Sequence, residues 1–184
     1  MTVSTTTTAP VHRLSVDDVL AMVRFEILDE NARVELVEGV LVDLSPVGPE
    51  HGDTMSLLTE HFAVAVAGRF RVRIQDMLRT TDGGYRLPDL TIIEPIDRHE
   101  LPTTALLVIE IAQSSHARDH EKALDYARAG VPEYWIVDLV EEAITVHTEP
   151  TDGVYRSVVA YREGELTPRI AGVPPITLDT LFGR

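Results

Sequence analysis

Three residues could do chemistry together: Asp89, Glu110 and Lys122. Residues 105–112 read A-L-L-V-I-E-I-A, and every member of that run except Glu110 would suit a buried strand. Bounded by Pro102-Thr103-Thr104 and Gln113-Ser114-Ser115, the run predicts a central strand covered on both faces. An unpaired ionised carboxylate in such a place costs on the order of several kcal/mol, so Glu110 needs a cation, a metal or a strong hydrogen-bond set. Asp89 repeats the pattern, following Pro88 and entering the apolar segment Leu90-Thr91-Ile92-Ile93. If the two strands are neighbours, the carboxylates converge, and two close anions repel until one takes a proton. A hard divalent cation removes that conflict, since Mg²⁺ is commonly held by one or two carboxylates plus waters. Lys122 follows on an expected helix, where Asp119, Lys122 and Tyr126 share a face at i, i+3 and i+7. From there an ammonium could stabilise an attacking hydroxide or the charge developing at phosphorus. The plainer alternative is a solvated helix stripe.

These side chains need elements to hold them. Ser15 with Asp18 reads as a capped helix start running to about Leu28. Residues 34–44 read as a hairpin around Glu38-Gly39, and His51 to Ala67 as a helix with Met55, Leu58, Phe62, Ala65 and Val66 on one face. Strands are expected at 70–78 and 85–93, split by the turn Thr81-Asp82-Gly83-Gly84. In the Glu110 strand, Leu106, Val108 and Glu110 should share one face and Leu107, Ile109 and Ile111 the other. A helix over 117–129, stopped by Gly130 and Pro132, leads to a strand at 133–137. That strand–helix–strand order predicts a partly parallel sheet. Further strands fall at 144–147 and 155–160, and a short helix at 176–182. The fold class is mixed α/β. Residues 1–12 read as a Thr-rich flexible tail and 13–184 as one domain.

Composition narrows the classes. The absence of cysteine excludes disulfides and thiolate metal sites. No stretch approaches the roughly 18 to 20 apolar residues of a membrane span, and the N-terminus lacks a secretory pattern, so a cytoplasmic location is expected. The net charge of −14 argues against a strongly adhesive nucleic-acid binder but not against an enzyme that gathers positive charge locally. The segment carrying Arg69, Arg71, Arg73 and Arg79 reads first as a solvated edge strand.

The pieces E-L-V-E-G (35–39), His51, L-P-D-L (87–90), V-I-E-I (108–111), D-H-E-K (119–122) and Y-A-R-A-G-V-P-E-Y-W-I-V-D (126–138) occur in that order. Together they resemble the Uma2 (DUF820) family of the PD-(D/E)XK nuclease superfamily, over roughly residues 13 to 180. The resemblance implies a restriction-endonuclease-like core, with Asp89 and Glu110 as the metal-binding acid pair. It implies Glu35, in the family's E-L-x-x-G element, as a further metal-site acid and Lys122 as the assisting lysine. The superfamily's usual lysine position, two residues after the second acid, is Ala112 here; the helix lysine takes its place. The family's Ser-Pro-Ser stretch is replaced by Gln113-Ser114-Ser115.

Other chemistry is weaker. His51 opens a helix, either as a surface histidine or in contact with substrate phosphate. His116 and His120, four apart, could bind Zn²⁺ with an acid such as Glu121, but no H-E-x-x-H is present and a surface pair fits better. Ser114, Ser115, His116 and Asp119 lie too close in sequence for a hydrolase triad, without a G-x-S-x-G elbow. Trp135 and Tyr134 read as core, and Asp138 as a turn acid. The expected function is Mg²⁺-dependent (Mn²⁺ as substitute) endonucleolytic hydrolysis of DNA phosphodiesters, with DNA as substrate and a second copy as partner in a homodimer. One alternative is a catalytically inactive nuclease-fold protein working in binding or assembly. Another is a hydrolase of small phosphorylated molecules.

Overall fold

Ser15 begins the first helix. The structure, a computed structural model, describes residues 10–113 and 116–184, without the side chains of 116–120. Helix α1 (Val16–Arg24) carries a capping box: Ser15 Oγ accepts from the Asp18 amide while the Asp18 carboxylate accepts from the Ser15 amide. It stops at Arg24 instead of near Leu28, because Glu26 takes a positive φ and the amides of Ile27 and Leu28 both fold back to the Met22 carbonyl. The expected tail falls largely on residues 1–9, outside the described residues.

Strands β1 (Val34–Val37) and β2 (Val40–Asp43) form the predicted hairpin. Glu38 and Gly39 turn it with φ of 47° and 76°, the left-handed pair that a tight two-residue hairpin turn requires. Helix α2 (Pro49–Val66) starts two residues earlier than expected, since Pro49 suits the first turn, where its missing N–H costs nothing. Its buried stripe is Leu58, Phe62 and Val66, with Met55 and Ala65 at the margin.

Each of the two strands expected between 70 and 93 divides. The first becomes β3 (Arg71–Ile74) and β4 (Leu78–Arg79); the second becomes β5 (Tyr85–Arg86) and β6 (Leu90–Ile93). Gln75, at φ 47°, breaks the first, and Pro88, unable to donate to a ladder, interrupts the second. There follow β7 (Leu107–Ala112), α3 (His116–Arg128), β8 (Glu133–Asp138), β9 (Ala143–Thr151), β10 (Val154–Tyr161), β11 (Glu165–Leu166), β12 (Ile176–Thr177) and α4 (Leu178–Phe182).

A six-stranded sheet in the order β10-β9-β8-β7-β6-β3 forms the centre, and β2-β1-β5-β4 form a second, smaller sheet beside it. The β7–β8 pair is parallel, joined through α3 as the strand–helix–strand pattern predicts, while the other neighbours in the large sheet are antiparallel. On one face Leu107, Ile109 and Ile111 pack with Leu58 and Phe62 of α2 and with Leu178 and Leu181 of α4. On the other, Val108 packs with Ala123 and Tyr126 of α3 and with Tyr134. Leu106 lies just outside β7, where alternation no longer holds, and packs on the α2 face instead of beside Val108. Helix α1 covers the small sheet through Val16, Val19, Leu36 and Tyr85. Strand β3 is the arginine-bearing edge, with Arg71 exposed and Arg73 paired to Asp76. Trp135 and Tyr134 are fully buried, and Asp138 accepts from the Val140 and Glu141 amides as a turn acid.

Candidate functional site

Antiparallel register decides where the acids meet. Leu90 of β6 stands opposite Ile109 of β7, so one further step sets Asp89 opposite Glu110 at the same end of the sheet. The Asp89 carboxylate crosses to β7, its Oδ2 accepting from the Ile111 amide at 2.9 Å. The same oxygen accepts from His51 Nε2 at 3.0 Å, and Oδ1 accepts from Gln75 Nε2 at 3.2 Å. Burial opposes charge on Asp89, but these donors, His51 foremost, hold its carboxyl below the ordinary aspartate value.

Glu110 is the opposite case. Its Oε1 accepts from Tyr126 Oη at 2.6 Å and lies 2.9 Å from Lys122 Nζ. Both the tyrosine hydrogen bond and the closest approach of the ammonium fall on this one oxygen. Burial pushes its carboxyl up to about 7; Lys122 pulls it down, and the anions Asp89 and Glu35 push it up again. Lys122 and Tyr126 do share the α3 face that leans on the end of β7, as their spacing predicts; the side chain of Asp119 lies outside the described residues. Burial alone would discharge Lys122, yet Glu110 and Glu35 raise its pKa above the ordinary lysine value. Of the 16 Lys and Arg residues Lys122 is the single lysine, a signal present in the sequence itself.

Glu35 of β1 joins from the small sheet. Its Oε1 accepts from the Leu87 amide at 3.1 Å and lies 3.3 Å from Lys122 Nζ, while its Oε2 meets Arg86 Nη1 at 3.1 Å. Arg86 spends its other nitrogens on Asp125 of α3, with Nε at 2.9 Å from Oδ2. Thus four carboxylates, Glu35, Asp89, Glu110 and Asp125, meet two permanent cations, Arg86 and Lys122. All five candidates, Glu35, His51, Asp89, Glu110 and Lys122, line one cavity of about 340 Å³, with Arg33 and Val47 also on its wall. His51 is buried at 5% exposure, so the surface-histidine alternative does not describe it.

Sequence reasoning missed Arg86, Gln75 and Asp125, and gave Tyr126 a place but no partner. The only trace of Arg86 was a cation three residues before Asp89. The side chains of the His116–His120 pair, and Ser114-Ser115 altogether, fall outside what the structure describes.

The family profile of Uma2, described as "Putative restriction endonuclease", matches residues 18–180. The chain belongs to the Uma2 family. A crystal structure of a protein described as "a putative nuclease belonging to DUF820", from Anabaena variabilis ATCC 29413, superimposes with a TM-score of 0.76. The two share 16% identity over 95% of this chain and 98% of the other. That likeness shows a shared fold. No curated protein matches the chain. Among the described residues no helix is long and apolar enough to cross a membrane.

The donor set bears on whether a metal would fit. No three described His, Asp or Glu side chains form a ready ligand cluster. Mg²⁺ does not require one, because it commonly keeps several waters and takes one or two carboxylates. Asp89 and Glu110, set opposite each other by the register, with the Glu110 partners gathered at Oε1 and its carboxyl forced up to about 7, fit that need.

Proposed function

We propose that this Uma2 protein is a metal-dependent endonuclease that hydrolyses phosphodiester bonds in DNA. The observation that carries the reading is the mutual approach of Asp89, Glu110 and Lys122 at one end of the central strand pair. Asp89 and Glu110 would hold the cation, Mg²⁺ or Mn²⁺. When bound, that ion acidifies a water and polarises the scissile phosphate. Asp89 is oriented by the Ile111 amide, His51 and Gln75, so its lone pairs are fixed before a ligand arrives. Tyr126 holds Glu110 in the same way. Lys122 orients the nucleophile by hydrogen bonding or stabilises the charge that develops on the phosphoryl oxygens. His51 both donates to Asp89 and lines the cavity, so it can orient that carboxylate and stand within reach of a substrate phosphate.

The test is cleavage of duplex DNA by purified protein with Mg²⁺ or Mn²⁺. Glu110→Ala and Lys122→Ala should each lower the rate at least about a hundredfold, the scale seen when one transition-state donor is removed. Metal-dependent cleavage undiminished in Glu110→Ala would overturn the assignment.

A second reading is favoured by the net charge of −14 and by Ala112 at the superfamily's usual lysine position: an inactive nuclease fold serving binding or assembly, as a homodimer. Calorimetric titration separates the two, because absence of a site at millimolar Mn²⁺ supports the inactive module. Panels of single-stranded DNA, RNA and nucleotides test the substrate class.

A further inference from the structure

We infer that Glu35 is not a metal ligand but the positioning residue for Lys122, locked in that role by an Arg86–Asp125 clamp. The inference rests on the nuclease reading above, and it reassigns an acid that the family resemblance would give to the metal.

The three site acids differ in what already neutralises them. Asp89 receives an amide, a carboxamide and an imidazole, none of them permanently charged, and Glu110 faces a tyrosine hydroxyl and one ammonium, both closest to Oε1. Glu35 faces two full cations: Arg86 on Oε2 and Lys122 on Oε1, with the Leu87 amide also on Oε1. At 2% exposure its charge is spent on partners already in place, and a carboxylate so compensated has little left to offer a divalent ion.

The wiring explains what Glu35 does instead. Lys122 Nζ sits between Glu110 Oε1 at 2.9 Å and Glu35 Oε1 at 3.3 Å. When Glu110 turns its charge to a cation, Lys122 loses one anchor and keeps the other. Glu35 then fixes the ammonium at the edge of the site. Arg86 in turn binds Glu35 of β1 and Asp125 of α3, three residues on from Lys122. One guanidinium therefore ties the strand carrying the anchor to the helix carrying the lysine, donating Nη1–H to Glu35 Oε2 and both Nε–H and Nη2–H to Asp125 Oδ2.

The single lysine supplies a direct probe, since ¹³C-lysine labelling gives one set of Lys122 signals. In metal-free protein, Glu35→Gln should move the Lys122 ε-carbon signal toward that of free lysine and narrow it. By calorimetry, Glu35→Gln should keep its Mn²⁺ Kd within about threefold of wild type, while Glu110→Gln weakens it about tenfold or more. In cleavage, Glu35→Gln should lower kcat about 10- to 100-fold with KM unchanged, the pattern of an interaction made in the transition state. Asp125→Asn should shift the lysine signal the same way by less, and it carries the test if thermal melting shows Glu35→Gln unfolded. An unmoved lysine signal in the folded variant, or Mn²⁺ binding weakened by Glu35→Gln as much as by Glu110→Gln, overturns the inference. If wild type neither binds Mn²⁺ nor cleaves DNA, the nuclease reading fails, while the lysine signal still decides whether Glu35 positions Lys122.

Discussion

Burial makes the ionised Glu110 carboxylate costly to the fold. Its folded pKa lies near 7 against an ordinary value of 4.5, so between those limits the folded state binds more protons than the unfolded state. Stability therefore falls as pH rises through that window and is not recovered above it. Glu110→Gln, which cannot ionise, should melt higher than wild type at pH 8 by the equivalent of about 1–3 kcal/mol and no higher near pH 4. Mn²⁺ should raise the wild-type melting temperature at pH 8 by more than it raises the variant's, and wild-type Mn²⁺ affinity should climb with pH as Glu110 gives up its proton. Calorimetric melts at the two pH values check both statements. A buried acid in an aliphatic run was legible from the sequence because burial follows composition. So was Asp89, by the same signature. Arg86 was not: its partners lie 39 and 51 residues away, and ion pairs of such separation leave no periodic trace.

At the scale of elements, the small sheet matters because it delivers Glu35 and Arg86. Its β5 enters through Gly84, where a built Cβ would stand 1.9 Å from the Leu36 carbonyl oxygen. That oxygen is backbone of β1, so the clash cannot be relieved by rotating a side chain. Gly84→Ala should cost more than about 2 kcal/mol and lower cleavage as Glu35 and Arg86 drift apart; chemical denaturation with a parallel cleavage assay measures both. Ser15→Ala removes only the α1 cap, at about 1 kcal/mol, and should leave cleavage per folded molecule unchanged. The turn at Gly83-Gly84 and the existence of most elements were legible from glycine placement and apolar periodicity. The division of two expected strands into four was not. Pro88 is a visible break in the second segment, but nothing local marks the positive φ of Gln75, and the pairing of β5 with β1 and β4, which draws the strand ends into another sheet, leaves no trace in the sequence.

At the scale of the whole molecule, the proposed nuclease reading asks a chain of charge −14 to accept a polyanionic substrate. A DNA-binding protein that makes six to ten phosphate contacts loses about 10³–10⁵ in affinity between roughly 50 and 200 mM salt, as released counterions are driven back. Here the described cations at the cavity are Arg33 on its wall and the committed pair Arg86 and Lys122, so few phosphates are neutralised by side chains. The remaining field repels, and salt screens it within a Debye length of about 10 Å at 0.1 M. The two effects oppose one another. Raising KCl from about 50 to 200 mM at fixed Mg²⁺ should therefore change KM for duplex DNA by no more than about tenfold, far below the loss expected of a basic groove. Steady-state cleavage across a KCl series gives the slope. A steep rise of KM would mean that a cationic surface binds the strand after all, and the acidic balance of the chain would no longer weigh against tight duplex binding.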